Sequence, residues 1–216
     1  MKKPGAVKAL TKLGRVRLSP HFYMREMLSS EVGNFHKRPN FPDRPDLAIT
    51  AGEKLCNELL EPLHATFGHV SIRSAYRSLE LNRFCADKGY GCARDNRARH
   101  TWDCVDKQGY MGATASIVIP WFVDYLAAHR EKSWTAMAWW IHDHRDRLPY
   151  SELCFYPVNA AFNIRWRGDQ ESKKAQPEYL IKSVAQPKGV LTKPTRENFA
   201  GDHSSEYPGF PQLTTH

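Results

Sequence analysis

A chain of 216 residues with 41% hydrophobic and 12% aromatic content is long enough for one domain with a real core, and its composition excludes a fibrous or wholly disordered protein. The formal net charge of +8 favours polyanionic partners, such as nucleic acid, anionic lipid or a wall polymer, without choosing among them. No run approaches the ~18 apolar residues of a membrane span, and no apolar segment of a secretory leader follows the basic N-terminus.

Residues 1–17 carry Lys2, Lys3, Lys8, Lys12, Arg15 and Arg17 and read as a loosely ordered basic arm. Residues 40–50 are rich in proline and aspartate and read as loop. Thr50 and Glu53 have capping-box spacing, so a helix is expected to start there. Leu55, Leu59, Leu60, Leu63 and Phe67 then form one apolar helix face that ends near Gly68, with a kink expected at Pro62. Val70 and Ile72 alternate with polar residues as in a short strand, and residues 78–84 begin the next helix. From Cys85 to Gly109 the chain is polar and reads as a long loop, a length usually reserved for function or disorder.

Ala115 to Ile119 is a near-continuous apolar run interrupted by Ser116 and reads as a buried strand. Pro120 opens a helix to about His129, and Trp134, Met137, Trp140, Ile141 and His144 share a face on the following one. Residues 152–156 and 161–166 form a hairpin around a Pro157–Asn159 turn. Periodicity then fades, and residues 168–216 read as an extended tail packed on the domain and disordered in part at its end. The five cysteines, an odd number without an export signal, argue for reduced thiols. The spacing of Cys85, Cys92, His100 and Cys104 matches no familiar zinc pattern, so neither a zinc there nor a Cys85–Cys92 bridge is favoured.

Several strings then line up in order. Phe22-Tyr23-Met24-Arg25-Glu26-Met27-Leu28-Ser29 is followed by Leu60-Glu61-Pro62-Leu63, Phe67-Gly68, Ser74-Ala75-Tyr76-Arg77-Ser78 and Leu81-Asn82. His100, Gly112-Ala113-Thr114-Ala115-Ser116-Ile117 and Ala161-Phe162-Asn163-Ile164 complete the series. Over residues 18–167 this order resembles the zinc D-Ala-D-Ala carboxypeptidase-like family of the Hedgehog/DD-peptidase fold. The resemblance implies an α+β fold, with a small antiparallel sheet packed against several helices. It also implies a hydrolase of peptidoglycan-derived peptides, in which zinc lowers the pKa of a bound water and polarises the scissile carbonyl.

Residue by residue, the resemblance makes His100 the first metal ligand and Arg77 the arginine that holds a substrate carboxylate, a task suited to a guanidinium fork. Ser116 and Asn163 stand where the family has its ligand aspartate and second histidine, and Arg165 follows Asn163 by two residues. A hydroxyl and an amide are poor zinc donors, since zinc takes deprotonated, strongly donating groups. Two rescues are open: Asp103 or Asp106, three and six residues after His100, or the imidazoles of His142 and His144. Positions 142 and 144 do not share a helix face, which favours core or edge roles for both. Glu152 is the candidate catalytic carboxylate, or a partner of Arg77 or Arg165, and Tyr76 reads as core.

Two functions follow. One is a metallopeptidase with a remodelled metal site at His100, Asp103 and Asp106. The other is a catalytically silent relative whose cleft of Arg77, His100, Ser116, Asn163 and Arg165 binds carboxylates or other anions. Nucleic acid is not favoured as a partner, because the basic residues are not interleaved with aromatics in a recognisable motif. A wall substrate without an export signal fits either a cytoplasmic role or phage-like release.

Overall fold

The computed structural model describes residues 1–158 and 160–214. Its centre is a six-stranded sheet in the order β1 (Ser71–Ser74), β2 (Met111–Val118), β4 (Phe162–Gly168), β3 (Glu152–Phe155), β5 (Leu180–Ser183), β6 (Gly189–Thr192). All neighbours are antiparallel except β3 and β5, which run parallel, so the fold is α+β with a mixed sheet. The expectation of a small antiparallel sheet is corrected on both counts.

Strand side chains alternate between faces, and that alternation divides this sheet into a core and a polar face. Met111, Ala113, Ala115 and Ile117 of β2 point into the core with Leu153 and Phe155 of β3, Phe162, Ile164 and Trp166 of β4, and Ile181 of β5. Helix α4 (Pro45–Leu55) and the wider π turn after it (Cys56–Leu60) cover this face, and the Trp166 indole donates to Glu58 at 2.7 Å. Helix α5 (Glu61–Phe67) continues the same rod. Proline removes a backbone donor and its ring crowds the carbonyl four residues earlier. The π turn directly before Pro62 widens the helix at that point, which is the physical form of the expected kink.

Other boundaries differ from expectation. Helix α4 begins at Pro45, not Thr50, because proline in the first turn has its fixed φ already suited to a helix and Asp46 follows it. The basic arm contains a helix, α1 (Val7–Gly14), anchored by fully buried Leu13, and two short helices follow, α2 (Met24–Met27) and α3 (Glu31–Phe35). Helix α6 (Leu79–Asp87) is capped by Ser78, whose hydroxyl accepts from the Leu81 amide at 3.2 Å. Helices α7 (Pro120–Ala128) and α8 (Thr135–Asp143) and the β3–β4 hairpin stand where the periodicity predicts them; Asn159 of the expected turn lies outside the described residues.

The largest correction concerns the segment after residue 167. It supplies β5 and β6, and beyond them it packs on α7 and α8: Tyr125 and Trp140 donate to the carbonyls of Pro208 and Pro211 at 3.0 Å each. Short strands of ordinary polarity carry little periodic signal, which is why the sequence shows no strand there. The end of that segment, residues 215 and 216, lies outside the described residues. Cys85 and Cys92 are joined in a disulfide with their Cα atoms 5.7 Å apart, against the expectation of reduced thiols; Cys56, Cys104 and Cys154 are free. No helix among the described residues is long and apolar enough to cross a membrane.

Candidate functional site

The polar face of the sheet carries two cross-strand rows. Ser116, Asn163, Cys154 and Lys182 are register partners across β2, β4, β3 and β5, and Thr114, Arg165 and Glu152 form the row beside them. The loop between α6 and β2 folds over these rows. Its backbone is tied to the end of β1: the Arg77 amide donates to the His100 carbonyl at 2.7 Å, and His100 Nδ1 lies 2.7 Å from the Ala75 carbonyl oxygen. Between loop and sheet is a cleft of about 410 Å³ lined by Arg77, Arg99, His100, Ser116, Glu152, Asn163, Arg165 and Lys182 among others.

Arg77, His100, Ser116, Asn163, Arg165 and Glu152, which lie far apart in sequence, therefore share one hollow. Asp103 and Asp106 do not join it. Asp103 is buried elsewhere, accepting from the Asp43 amide at 2.8 Å and the Tyr76 hydroxyl at 3.2 Å. Asp106 turns to Arg167, whose Nε donates to it at 2.8 Å. The metal set of His100, Asp103 and Asp106 is thus corrected: each carboxylate already serves a structural bond. The His142–His144 alternative falls too. His142 is buried between the Tyr150 hydroxyl and the Phe199 carbonyl, and His144 Nδ1 sits 2.7 Å from the Trp140 carbonyl oxygen.

Glu152 pairs with neither Arg77 nor Arg165. Its carboxylate is held by Arg99 at 2.8 Å and Lys182 at 2.9 Å. Burial opposes its charge, but those two cations win and hold the carboxyl below the usual range. An acid kept ionised by two cations is a poor candidate for catalytic proton transfer. Arg165 is spoken for as well, by Glu178 at 3.2 Å and by the Ala98 carbonyl at 3.1 Å. Ser116 donates to Asn163 Oδ1, and the Asn163 amide donates to the Tyr156 hydroxyl at 2.9 Å. Burial pushes that phenol up to about 12.

A carbonyl can only accept, so its contact with Ala75 leaves the His100 proton on Nδ1 and the lone pair on Nε2. Burial, reinforced by the Arg77 guanidinium, pushes the ring down to about 4 and keeps it neutral. One imidazole beside an occupied hydroxyl–amide pair and a cation-bound carboxylate does not fit the zinc that the sequence resemblance implies.

Arg77 is the exception among the charged groups. It is half-buried, and Nη1 lies 2.9 Å from Cys92 Sγ while Nη2 lies 3.3 Å from Ser74 Oγ. Among the described residues it forms no ion pair with any carboxylate, whereas Arg99, Arg165 and Lys182 all do. Burial accordingly depresses its pKa, opposed only by the Tyr156 phenol. Nearby, the buried Thr114 hydroxyl has no hydrogen-bond partner among the described residues.

Sequence reasoning missed Arg99, Lys182, Cys154 and Tyr156. Cys154 and Lys182 follow from the period-two alternation once Asn163 is placed, but Lys182 needed β5 to be recognised. A second group, away from the cleft, had no sequence signal: His21, Glu61 and His64 each offer a ligand atom, all within 4.8 Å of one another, so they could hold a metal ion. Comparison with known proteins finds no matching family model, no matching curated relative and no matching solved structure.

Proposed function

We propose that this chain is a relative of the D-Ala-D-Ala carboxypeptidase-like wall peptidases whose cleft binds a carboxylate-ended peptide without the family's zinc chemistry. The observation that carries the proposal is Arg77: a half-buried guanidinium in a polar cleft with no carboxylate partner among the described residues. A desolvated cation without a counter-charge is costly, and an incoming carboxylate removes that cost while accepting from the guanidinium fork. The Thr114 hydroxyl, the Ser116–Asn163 pair and His100 Nε2 supply neutral hydrogen-bonding groups around it. The metallopeptidase reading is the weaker one, because Asp103 and Asp106 are engaged outside the cleft and Glu152 is bound by two cations.

Isothermal titration of the full chain with N-acetyl-D-Ala-D-Ala and with its C-terminal amide tests the reading. The acid is expected to bind and the amide to bind much more weakly. Arg77→Ala is expected to lower affinity for the acid roughly 10- to 100-fold, the worth of one charge-assisted hydrogen-bonding pair at ~1.5–3 kcal/mol. Equal binding of acid and amide, or an Arg77→Ala variant that binds like the parent, overturns it. Zinc-stimulated release of D-alanine that is lost in His100→Ala would restore the metallopeptidase instead.

A further inference from the structure

We propose that His21, Glu61 and His64 bind a divalent transition-metal ion of the Zn²⁺ type, at a site separate from the anion cleft. Glu61 and His64 stand three residues apart on α5, a spacing that puts both on one helix face. His21 comes from the turn before α2 and lays its ring over His64, with centroids 4.0 Å apart and planes tilted by 21°. One carboxylate oxygen and two imidazole nitrogens therefore converge, all within 4.8 Å of one another. This is a nitrogen-and-oxygen donor set of the kind that three-ligand zinc sites use.

Two further observations separate this group from a simple His–Glu ion pair. The first is the support behind the carboxylate. Glu61 is 6% exposed, and its Oε1 accepts from the Ser19 hydroxyl at 2.6 Å and the His21 amide at 2.8 Å. Those bonds fix the carboxylate plane, as an outer shell does for a ligating acid, and leave Oε2 hydrogen-bonded to His21 Nδ1 at 2.7 Å, a contact that a bound ion would replace. The second is the space in front. Both histidines, though not Glu61, line a hollow of about 480 Å³ that also takes in Glu26, Ser29 and His69, with room for a water beside the two imidazoles. The His21 side chain is half exposed, so its ring can turn onto an ion shared with His64 without disturbing the core.

The site would join the segment before α2 to α5, so metal binding is expected to stabilise the fold by mass action. The test uses the full chain, dialysed against a chelator and titrated with Zn²⁺, and in a second series with Co²⁺, whose visible absorption reports imidazole and carboxylate ligation. One equivalent of Zn²⁺ is expected to bind, with a rise in melting temperature. His64→Ala and His21→Ala, both at accessible positions, are expected to weaken binding roughly 10-fold or more. His100→Ala is expected to bind the ion as the parent does. A dialysed protein that binds no ion overturns the proposal, as does unchanged binding in both His21→Ala and His64→Ala. Loss of the ion in His100→Ala alone moves the metal to the cleft and overturns it as well. Peptide affinity of the His21→Ala and His64→Ala variants is expected to match the parent, since neither residue lines the cleft.

Discussion

Burial and the neighbouring Arg77 guanidinium hold the His100 imidazole at about 4, while the same ring in an unfolded chain titrates near its ordinary value of ~6.5. Between those two values the unfolded chain binds the extra proton and the folded chain does not. Stability therefore rises with pH across the window. The contribution is fully present above ~6.5 and is lost as pH falls toward 4, amounting to something on the order of 3 kcal/mol if the whole shift is realised. His142, also held neutral by burial, adds to the same slope. Urea unfolding at pH 7.5 and pH 4.5 should show a marked loss of stability in the parent and a visibly smaller loss in His100→Gln. An identical loss in both would mean that His100 is not the group being titrated. At this scale the motif positions of the sequence resemblance are informative: Arg77, His100, Ser116 and Asn163 line one cleft. The sequence misleads at Asp103 and Asp106, because proximity along a loop says nothing about which way a carboxylate turns. Backbone amides and Arg167 claimed both acids.

Among the secondary elements, β2 carries a tight constraint set by backbone on both sides. Gly112 lies on the polar face where the α6–β2 loop crosses, and a Cβ there would come within 2.4 Å of the Ala98 carbonyl oxygen and 2.9 Å of the Trp166 carbonyl oxygen. Both are backbone atoms, so relief requires moving the loop or the strand. Gly112→Ala is expected to cost at least the ~1–3 kcal/mol typical of overpacking. Gly5→Ala, where a Cβ would meet nothing within 4 Å, should stay within ~0.5 kcal/mol of the parent. Thermal melts of the two variants decide the matter; equal melting temperatures would show that the loop yields freely. The elements most legible in the sequence were those with strong periodicity or an unambiguous cap, such as α6 behind Ser78 and α7 behind Pro120. The start of α4 is ambiguous in the sequence because Thr50 and Glu53 match a capping pattern while Pro45 and Asp46, equally good opening signals, sit in a proline-rich stretch. The alternation in β2 is masked for a different reason: within the run from Ala115 the polar face shows only Ser116 and Val118, and valine is apolar, so a two-faced strand reads as a near-continuous buried run.

For the molecule as a whole, the segment after Arg167 decides whether the sheet is closed on one side. Strand β5 hydrogen-bonds along β3, Ile181 is fully buried in the core, and Lys182 supplies one of the two cations on Glu152. Glu178 holds Arg165, and Phe210 enters the aromatic cluster of Phe67, Trp121, Phe122 and Tyr125. Removing residues 168–216 would strip β3 to a bare edge lined by Leu153 and Phe155, and unpaired edges of that kind invite association. It would also expose apolar surface from Ile181 and Leu213 contacts, where each large side chain buried is worth ~1.5–3 kcal/mol. A native domain has only ~5–15 kcal/mol to lose in total. A chain ending at Arg167 should therefore fail to unfold cooperatively and should elute as an aggregate in size-exclusion chromatography. The milder Lys182→Ala should leave the fold intact and act locally, freeing Glu152 from one cation and raising its pKa toward the ordinary carboxylate range. A truncated chain that stays monomeric with an unchanged melting transition would show instead that β1 to β4 and the helices stand alone, with β5 and β6 as an accessory on a finished domain.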